Sequence, residues 1–345
     1  MRLGANLGYQ GAGRLARAAE DFGYALALAP EGLRSDAPSV LGLMAGATRR
    51  IGLGSAVMQM PARPPGLTAL TAATLDALSD GRFRLGLGIS NPQVADGWYG
   101  AAFTDPLSRT REYVTVVRRA LTGQPVEHQG RHYNLPGTPQ HRGVPLQIGT
   151  EPCGPPIPLL LAASGPRTLR LAGEIADGWL GALTPVDALP DVVRALEAGR
   201  ARTGRGLTGF ELLPSVPTAV ANDLDAAVDL LRDHYVYLLG IGDPEANCHY
   251  RLAVDLGHAR QAAQVRRHLA AADRAAAAAA VPAAFVDATA LVGPVRRIAH
   301  RMRAYADAGA TTLGVMVSAT ATDVAGRVEQ LRCAAEALHL SRADG

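Results

Sequence analysis

Apolar positions along this chain alternate between two spacings: short unbroken runs, and longer stretches with helical periodicity. Arg2–Leu7 reads as a short strand, followed by a helix over Gly13–Phe22 that puts Leu15, Ala18 and Ala19 on one face. Tyr24–Ala29 is a run of small apolar residues, suited to a strand buried on both faces and ended by Pro30. A helix over Pro38–Ala47 follows the N-cap candidate Asp36, and Ile51–Met58 reads as the next strand. The pattern continues with a helix over Pro65–Ser79, a strand over Phe83–Gly88 and a helix over Asp105–Thr122, where Asp105-Pro106 resembles an N-cap and first helical residue. Strands over Pro158–Ala163, Gly178–Ala182, Phe210–Ala221 and Thr312–Val317 alternate with helices over Gly165–Glu174, Pro185–Thr203, Leu224–Tyr237 and Ala321–Leu340.

Eight apolar strands alternating with helices predict a parallel sheet with crossover helices, closed into a (β/α)8 TIM barrel. An open dinucleotide-binding sheet is the rival, but Gly8-Tyr9-Gln10-Gly11-Ala12-Gly13 after the first strand lacks the GxGxxG fingerprint. The expectation is one barrel domain over residues 1–345, with insertions near 123–157 and 238–291. The first insertion carries a hairpin signal around Gly130. The second is mostly helical, and its Ala270–Ala280 run suits either a surface helix or a tight oligomer contact.

The length of 345 residues fits a barrel of about 250 residues plus insertions. Net charge is only +3 from 34 basic and 31 acidic residues, too balanced for a general nucleic-acid binder. Every basic residue is Arg, so no Schiff-base or P-loop lysine is available. Cys153, Cys248 and Cys333 are widely spaced, with no CxxC pair, and the nine His residues show no metal-ligand spacing; no metal site is expected. No apolar stretch of transmembrane length and no signal-peptide pattern is found, so the expected setting is the cytoplasm, without a membrane partner.

In a barrel, chemistry sits at the C-terminal ends of the strands. Ser164-Gly165-Pro166 begins a helix directly after a strand, where backbone N–H groups would face a phosphate; the alternative is an ordinary Ser N-cap with Pro in the first turn. Glu31 follows the second strand as an acid–base candidate, or else as a carboxylate paired with an arginine such as Arg34. Tyr99, in the loop Gly97-Trp98-Tyr99-Gly100, lies where it could cover a flat ring or pack on the rim.

Several segments together carry a family pattern: Ile51-Gly52-Leu53-Gly54-Ser55-Ala56-Val57-Met58-Gln59, Thr68 to Asp76, Gly81-Arg82-Phe83-Arg84-Leu85-Gly86-Leu87-Gly88, Arg109-Thr110-Arg111-Glu112-Tyr113 and Gly173-Glu174-Ile175-Ala176-Asp177-Gly178-Trp179. Over nearly its whole length the chain resembles the luciferase-like superfamily, and within it the deazaflavin (coenzyme F420)-dependent oxidoreductases. The resemblance implies a ring over the barrel mouth, resting on a bulge with a non-prolyl cis peptide at Ala56-Val57. It implies cofactor contacts from Ala56, Val57, Met58, Gln59, Ser90, Asn91 and the Ser164-Gly165-Pro166 phosphate turn. It further implies hydride transfer between F420 and an electron-poor bond of a small-molecule substrate or natural-product intermediate, with Glu31 and Tyr99 as proton-donor candidates and Arg34 and Arg63 as partners for the acidic cofactor tail. A homo-oligomer, in the simplest case a dimer, is expected. The alternatives are a reduced-FMN-dependent monooxygenase and a non-catalytic binding barrel. The chain departs from the branch pattern at the mouth. Its second-strand loop reads Glu31-Gly32-Leu33-Arg34-Ser35-Asp36-Ala37, without the usual Tyr and with an Arg added. Trp98-Tyr99-Gly100 stands for Trp-His-Gly, and Leu239-Gly240-Ile241-Gly242-Asp243 replaces a Gly-Gly-Met pattern.

Overall fold

The unbroken apolar runs become parallel strands because each is covered on both faces, by helices outside and by the barrel interior within. The computed structural model describes residues 1–137, 143–151 and 153–343. Eight strands close a ring: β1 (Arg2–Asn6), β2 (Leu26–Ala29), β3 (Gly52–Ser55) with its continuation β4 (Met58–Gln59), β5 (Phe83–Gly88), β8 (Leu159–Ala162), β9 (Gly178–Ala182), β10 (Glu211–Val220) and β12 (Thr312–Met316). Each pairs in parallel with the next, and β12 pairs with β1 to shut the ring. The fold is the expected TIM barrel with insertions.

Inside the ring, Leu26, Leu28, Leu160, Leu180 and Leu213 form one apolar cluster. Its N-terminal end is plugged by Glu211, which accepts hydrogen bonds from Arg2 (3.1 Å) and Thr312 (2.7 Å) and lies 3.4 Å from Arg84. The larger core lies outside the ring, between the strands and the helices α1 (Ala12–Asp21), α2 (Ala37–Ala47), α3 (Pro65–Leu78), α5 (Pro106–Ala120), α6 (Pro166–Ile175), α7 (Leu189–Ala201), α14 (Val295–Asp307) and α15 (Val324–Ser341). Among the described residues no helix is long and apolar enough to cross a membrane.

The structure differs from the sequence reading in several places. The run Ile51–Met58 is not one strand. β3 pairs with β5 as far as Gly54↔Arg84, and pairing resumes at Met58↔Leu87, so four steps on one strand match three on the other. That single extra residue is a β-bulge. Asp36 caps α2 as expected, accepting from Ser39 N at 2.9 Å. Asp105 has a left-handed backbone and caps nothing with its side chain, which instead holds Arg131 at 2.9 Å. The helix expected over Leu224–Tyr237 breaks into α8 (Leu224–Asp229) and α9 (Arg232–Gly240). The first insertion contains a small antiparallel hairpin, β6 (His128–Gln129) and β7 (Asn134–Leu135), docked on α5 because Glu112 accepts from the backbone N–H groups of Arg131, His132 and Tyr133. Residues 138–142 and 152 of that insertion lie outside the described residues.

The second insertion has its own apolar core around Tyr235, Phe285 and Val265, built by α9, α10 (Cys248–Asp255), α11 (Ala259–Ala270), α12 (Arg274–Ala279) and α13 (Ala283–Thr289). A short strand, β11 (Leu291–Gly293), adds to the outer end of β10, an element the sequence reading did not anticipate. The Ala-rich run is split between the end of α11 and α12 by a turn in which Asp273 caps Ala276 N, and Ala277 packs into this second core.

Candidate functional site

The bulge after β3 builds the floor of the mouth. Ser55 replaces the missing ladder bonds: its hydroxyl donates to Gly86 O (2.8 Å) and accepts from Gly86 N (2.9 Å). The peptide between Ala56 and Val57 is cis, as the resemblance implied. Val57 then lies over Gly88, where a Cβ would fall 2.5 Å from Val57 Cγ2; glycine is what lets the bulge settle toward the barrel axis. The chain turns back through Met58 and Gln59. Gln59 donates from Nε2 to Glu31 O (3.0 Å), while its buried Oε1 has no hydrogen-bond partner among the described residues. A buried orphan acceptor is costly unless something donates to it, so it is a natural contact for a ligand N–H.

Glu31 is not a loop carboxylate open to solvent. Arg63 donates to it through both terminal nitrogens, each at 2.8 Å, and the two side chains are only 3% and 11% exposed. Gln59 N (2.8 Å) and Ala37 N (3.2 Å) complete four bonds to its two oxygens. The arginine-pairing alternative is correct in kind, but the partner is Arg63 and not Arg34. Arg63 is in turn positioned by Tyr113, whose hydroxyl donates to Arg63 O at 3.2 Å and contacts Thr68. With both ends of its guanidinium on Glu31, Arg63 is not turned toward solvent as a tail partner would be.

Tyr99 follows a short helix, α4 (Pro92–Gly97), that starts after β5. Its phenol senses the Glu31–Arg63 pair: burial foremost, then the Glu31 charge, raise its pKa, and Arg63 lowers it. Among the described residues its hydroxyl has no hydrogen-bond partner. Trp98 beside it is 68% exposed, so the aromatic loop turns Tyr99 inward and Trp98 outward.

The remaining expected contacts surround this floor. Ser90 takes a left-handed backbone (φ 61°), and Asn91 caps α4, accepting from Val94 N at 3.0 Å. At the phosphate turn, Gly165 is the N-cap of α6 and Pro166 its first residue. Thr168 Oγ1 both accepts from Gly165 N (3.1 Å) and donates to Gly165 O (2.9 Å). The Gly165 N–H is therefore occupied, which leaves the exposed Ser164 hydroxyl and the first-turn N–H groups of Arg167 and Thr168 for an anion.

Arg109 was missed as a candidate. It lines a narrow, mostly apolar cleft with Met60, Ile89, Phe103 and Tyr133, and its buried Nε has no partner among the described residues. Helices α5 and α6 run side by side: Arg118 reaches Ile175 O (3.0 Å) and Asp177 (2.9 Å). Arg111 on the same face of α5 pairs with Glu174 at 2.7 Å, whereas Arg109, two residues earlier, turns to the cleft on the other side of α5. The sequence held no clear signal for it, since Asp105 four residues before and Glu112 three residues after stand one helical turn away.

Residues 2–312 match the family model described as luciferase-like monooxygenase. A Mycobacterium tuberculosis protein classed by name with the coenzyme F420-dependent oxidoreductases is 35% identical over 96% of this chain and 97% of its own length. A 5,10-methylenetetrahydromethanopterin reductase of Archaeoglobus fulgidus is 30% identical over 60% of this chain and 59% of its own. Among solved structures, the coenzyme F420-dependent tetrahydromethanopterin reductase of Methanopyrus kandleri superimposes with a TM-score of 0.84 at 22% identity, covering 97% of each chain. A monooxygenase of Streptomyces bottropensis superimposes at 0.73 and 19% identity, covering 99% of this chain and all of its own. The two structural likenesses speak for the fold. With the family model and the whole-length relative, the chain belongs to the luciferase-like monooxygenase family, as an oxidoreductase that groups with its F420-dependent branch.

Proposed function

We propose that the protein transfers a hydride between coenzyme F420 and an electron-poor C=C, C=N or C=O bond of a small molecule. The observation that carries this reading is the whole-length identity to a relative classed as F420-dependent. The mouth supports it, because the donors and acceptors present fit such a cofactor. Ala56 and Val57 offer an apolar rest for a flat ring, and Gln59 Oε1 is an unmet acceptor for a ring N–H. Met58, Ser90 and Asn91 flank that position, with the Asn91 amide nitrogen left free by the cap. Ser164 and the first turn of α6 suit a phosphate.

The deazaflavin, when bound, supplies the hydride chemistry. The chain's own part is to orient and to hold a proton. Tyr99 keeps its proton at neutral pH, since burial and the nearby Glu31 charge both favour the neutral phenol. It is the donor we assign to the substrate atom that gains charge. Glu31 acts through Arg63 and the Gln59 backbone, fixing the bulge and the field around Tyr99, and is a positioning residue.

Titration with each cofactor at fixed ionic strength tests the reading. Micromolar binding of F420 with much weaker FMN binding is expected. The reverse order with oxygen-dependent turnover gives the monooxygenase, which the fold shared with the Streptomyces enzyme keeps as the second reading. Binding of neither gives a non-catalytic barrel. Tyr99→Phe should lower turnover at least about tenfold while leaving the cofactor dissociation constant unchanged. Unchanged turnover would move the proton source to water or to the substrate.

A further inference from the structure

The second-strand loop and the second insertion meet above the mouth. Arg34 stacks on Tyr237 of α9, its guanidinium carbon 4.0 Å from the ring centroid. Among the described residues the Arg34 guanidinium has neither a carboxylate nor a carbonyl partner. His234 is one helical turn before Tyr237 and so lies on the same face of α9. Its Nε2 is buried and, among the described residues, makes no hydrogen bond. Burial, then His249 of α10 and Arg34, lower the His234 pKa to about 4, and burial lowers that of His249 to about 4 as well.

Among the described residues no carboxylate pairs with Arg34 or with either imidazole, and several nearby acids are engaged elsewhere: Glu31 by Arg63, Asp36 by Ser39 N, Asp233 by Arg274 and Asp243 by Glu245 N. The arrangement is held firmly. Asn247 donates to Leu238 O and Ile241 O, and Arg266 donates to Leu239 O and Gly242 O, which ties four carbonyls at and just beyond the end of α9. Gly242 lies directly against the end of the Gln93 side chain of α4. The end of α9 thus bridges from the loop after β2 to the helix after β5, the helix that precedes Tyr99.

We infer that Arg34, Tyr237, His234 and His249 form a subsite for an anionic headgroup of the substrate, a carboxylate or phosphate, whose remaining body lies toward Tyr99. A guanidinium without an acceptor, fixed on an aromatic face beside a buried imidazole nitrogen that also lacks one, is a donor set awaiting an acceptor. This deepens the proposed hydride-transfer reading and rests on it for the word substrate. The cofactor does not claim the subsite. Its phosphate turn follows β8, three strands round the ring from β2, so a cofactor reaching from that turn to the bulge at β3 has its charged tail on the far side. Arg34 is thereby reassigned from the acidic tail to the substrate.

The test uses the whole purified protein, with cinnamate, its neutral analogue cinnamamide, and inorganic phosphate as probes, followed by imidazole ¹H–¹⁵N correlation spectra. Cinnamate or phosphate should shift the His234 and His249 ring resonances, and cinnamamide should not. Arg34→Gln, an exposed site whose replacement leaves the fold intact, should weaken anion binding at least about tenfold. Arg34→Lys, which restores charge but not the planar fork, should recover part of it. An equal response to the amide, no response to either anion, or undiminished binding in Arg34→Gln would overturn the inference. Cofactor titration of the same variants separates it from the reading it rests on. F420 affinity should be unchanged by Arg34→Gln, and a loss there instead of in anion binding would return Arg34 to the cofactor. Anion binding in a protein that binds no F420 would leave the subsite standing and the hydride reading refuted.

Discussion

Four hydrogen bonds to one carboxylate decide what Glu31 can do. Every one of them stabilises the charged form, and two come from a nearly buried guanidinium. Glu31→Gln should therefore cost stability first. Breaking a buried pair by removing one charge typically loses about 3–5 kcal/mol, and a fall in urea midpoint without change of slope would register it. Turnover should drop at least about tenfold while cofactor binding survives; full stability with low turnover would instead make Glu31 the acid itself. The sequence marked Glu31 as important because Pro30 and Gly32 set it at a strand end. It did not mark its partner, since Arg63 lies 32 positions away and only the bulge between them brings the two together. His234 and His249 carry a pH dependence of opposite sense to a salt-bridged histidine. Their folded pKa of about 4 lies below the ordinary histidine value of 6.5. Between those values the unfolded chain binds more protons, so stability is present above about pH 6.5 and is lost as pH falls toward 4. The loss is roughly 1–3 kcal/mol per histidine. A melting temperature that stays flat from pH 7 to 5, or one that His234→Gln leaves equally pH-sensitive, would show the imidazoles to be solvated.

The elements were legible where one period ran for a whole strand or helix, and less so where pairing decided the outcome. All eight barrel strands lie where apolar runs predicted them, because a strand covered on both faces leaves an unbroken hydrophobic signature. The bulge was not visible in Ile51–Met58 as a matter of spacing, since one extra residue has meaning only against the register of β5. Helix α14 went unread although Ile298, Ala299, Met302 and Tyr305 carry the helical spacing and are buried; its four arginines and one histidine masked it. Short elements such as α4 and β11 fall below the length at which periodicity can be counted. Helices α6 and α7 show a packing device that the family pattern contains without explaining. A Cβ on Gly173 would strike the Leu196 carbonyl, and one on Gly199 would strike the Arg170 carbonyl and come within 3.0 Å of Glu174 N. These are backbone atoms, so the helices must separate to admit a methyl group. Gly199→Ala should destabilise by about 1–3 kcal/mol, despite alanine's better helix propensity. Equal or greater thermal stability would mean that the two helices can part without cost.

At the scale of the whole molecule, the outer surface is uneven in charge. Helices α2 and α3 lie side by side, and over both of them the sequence holds a single charged residue, Asp76, which is buried against Phe83 N. Four of the large exposed hydrophobic side chains are on this pair: Leu43, Leu67, Leu70 and Leu78, between 46% and 59% exposed. Gly42, Gly46 and Gly66 stand on the same helices with open space where a Cβ would lie. Glycine inside a helix costs about 1 kcal/mol relative to alanine, and nothing within this chain requires it there. A second backbone approaching closely would. A two-fold axis would set this face against its own copy, which suits a surface without charges to repel, and a stable interface needs roughly 800 Å² from each partner. We therefore expect a homodimer through α2 and α3, and not through the Ala-rich run, whose Ala277 is already committed to the second core. Sedimentation equilibrium should give a dimer for the native protein and a monomer for Leu70→Glu. Leu146→Glu, at a still more exposed leucine in the first insertion, should stay dimeric. Gly46→Ala sharpens the test, because in a monomer it should be neutral or stabilising, whereas in the dimer it should weaken association. A native monomer, or a dimer untouched by Leu70→Glu, would leave those leucines and glycines without a partner and the proposed interface wrong.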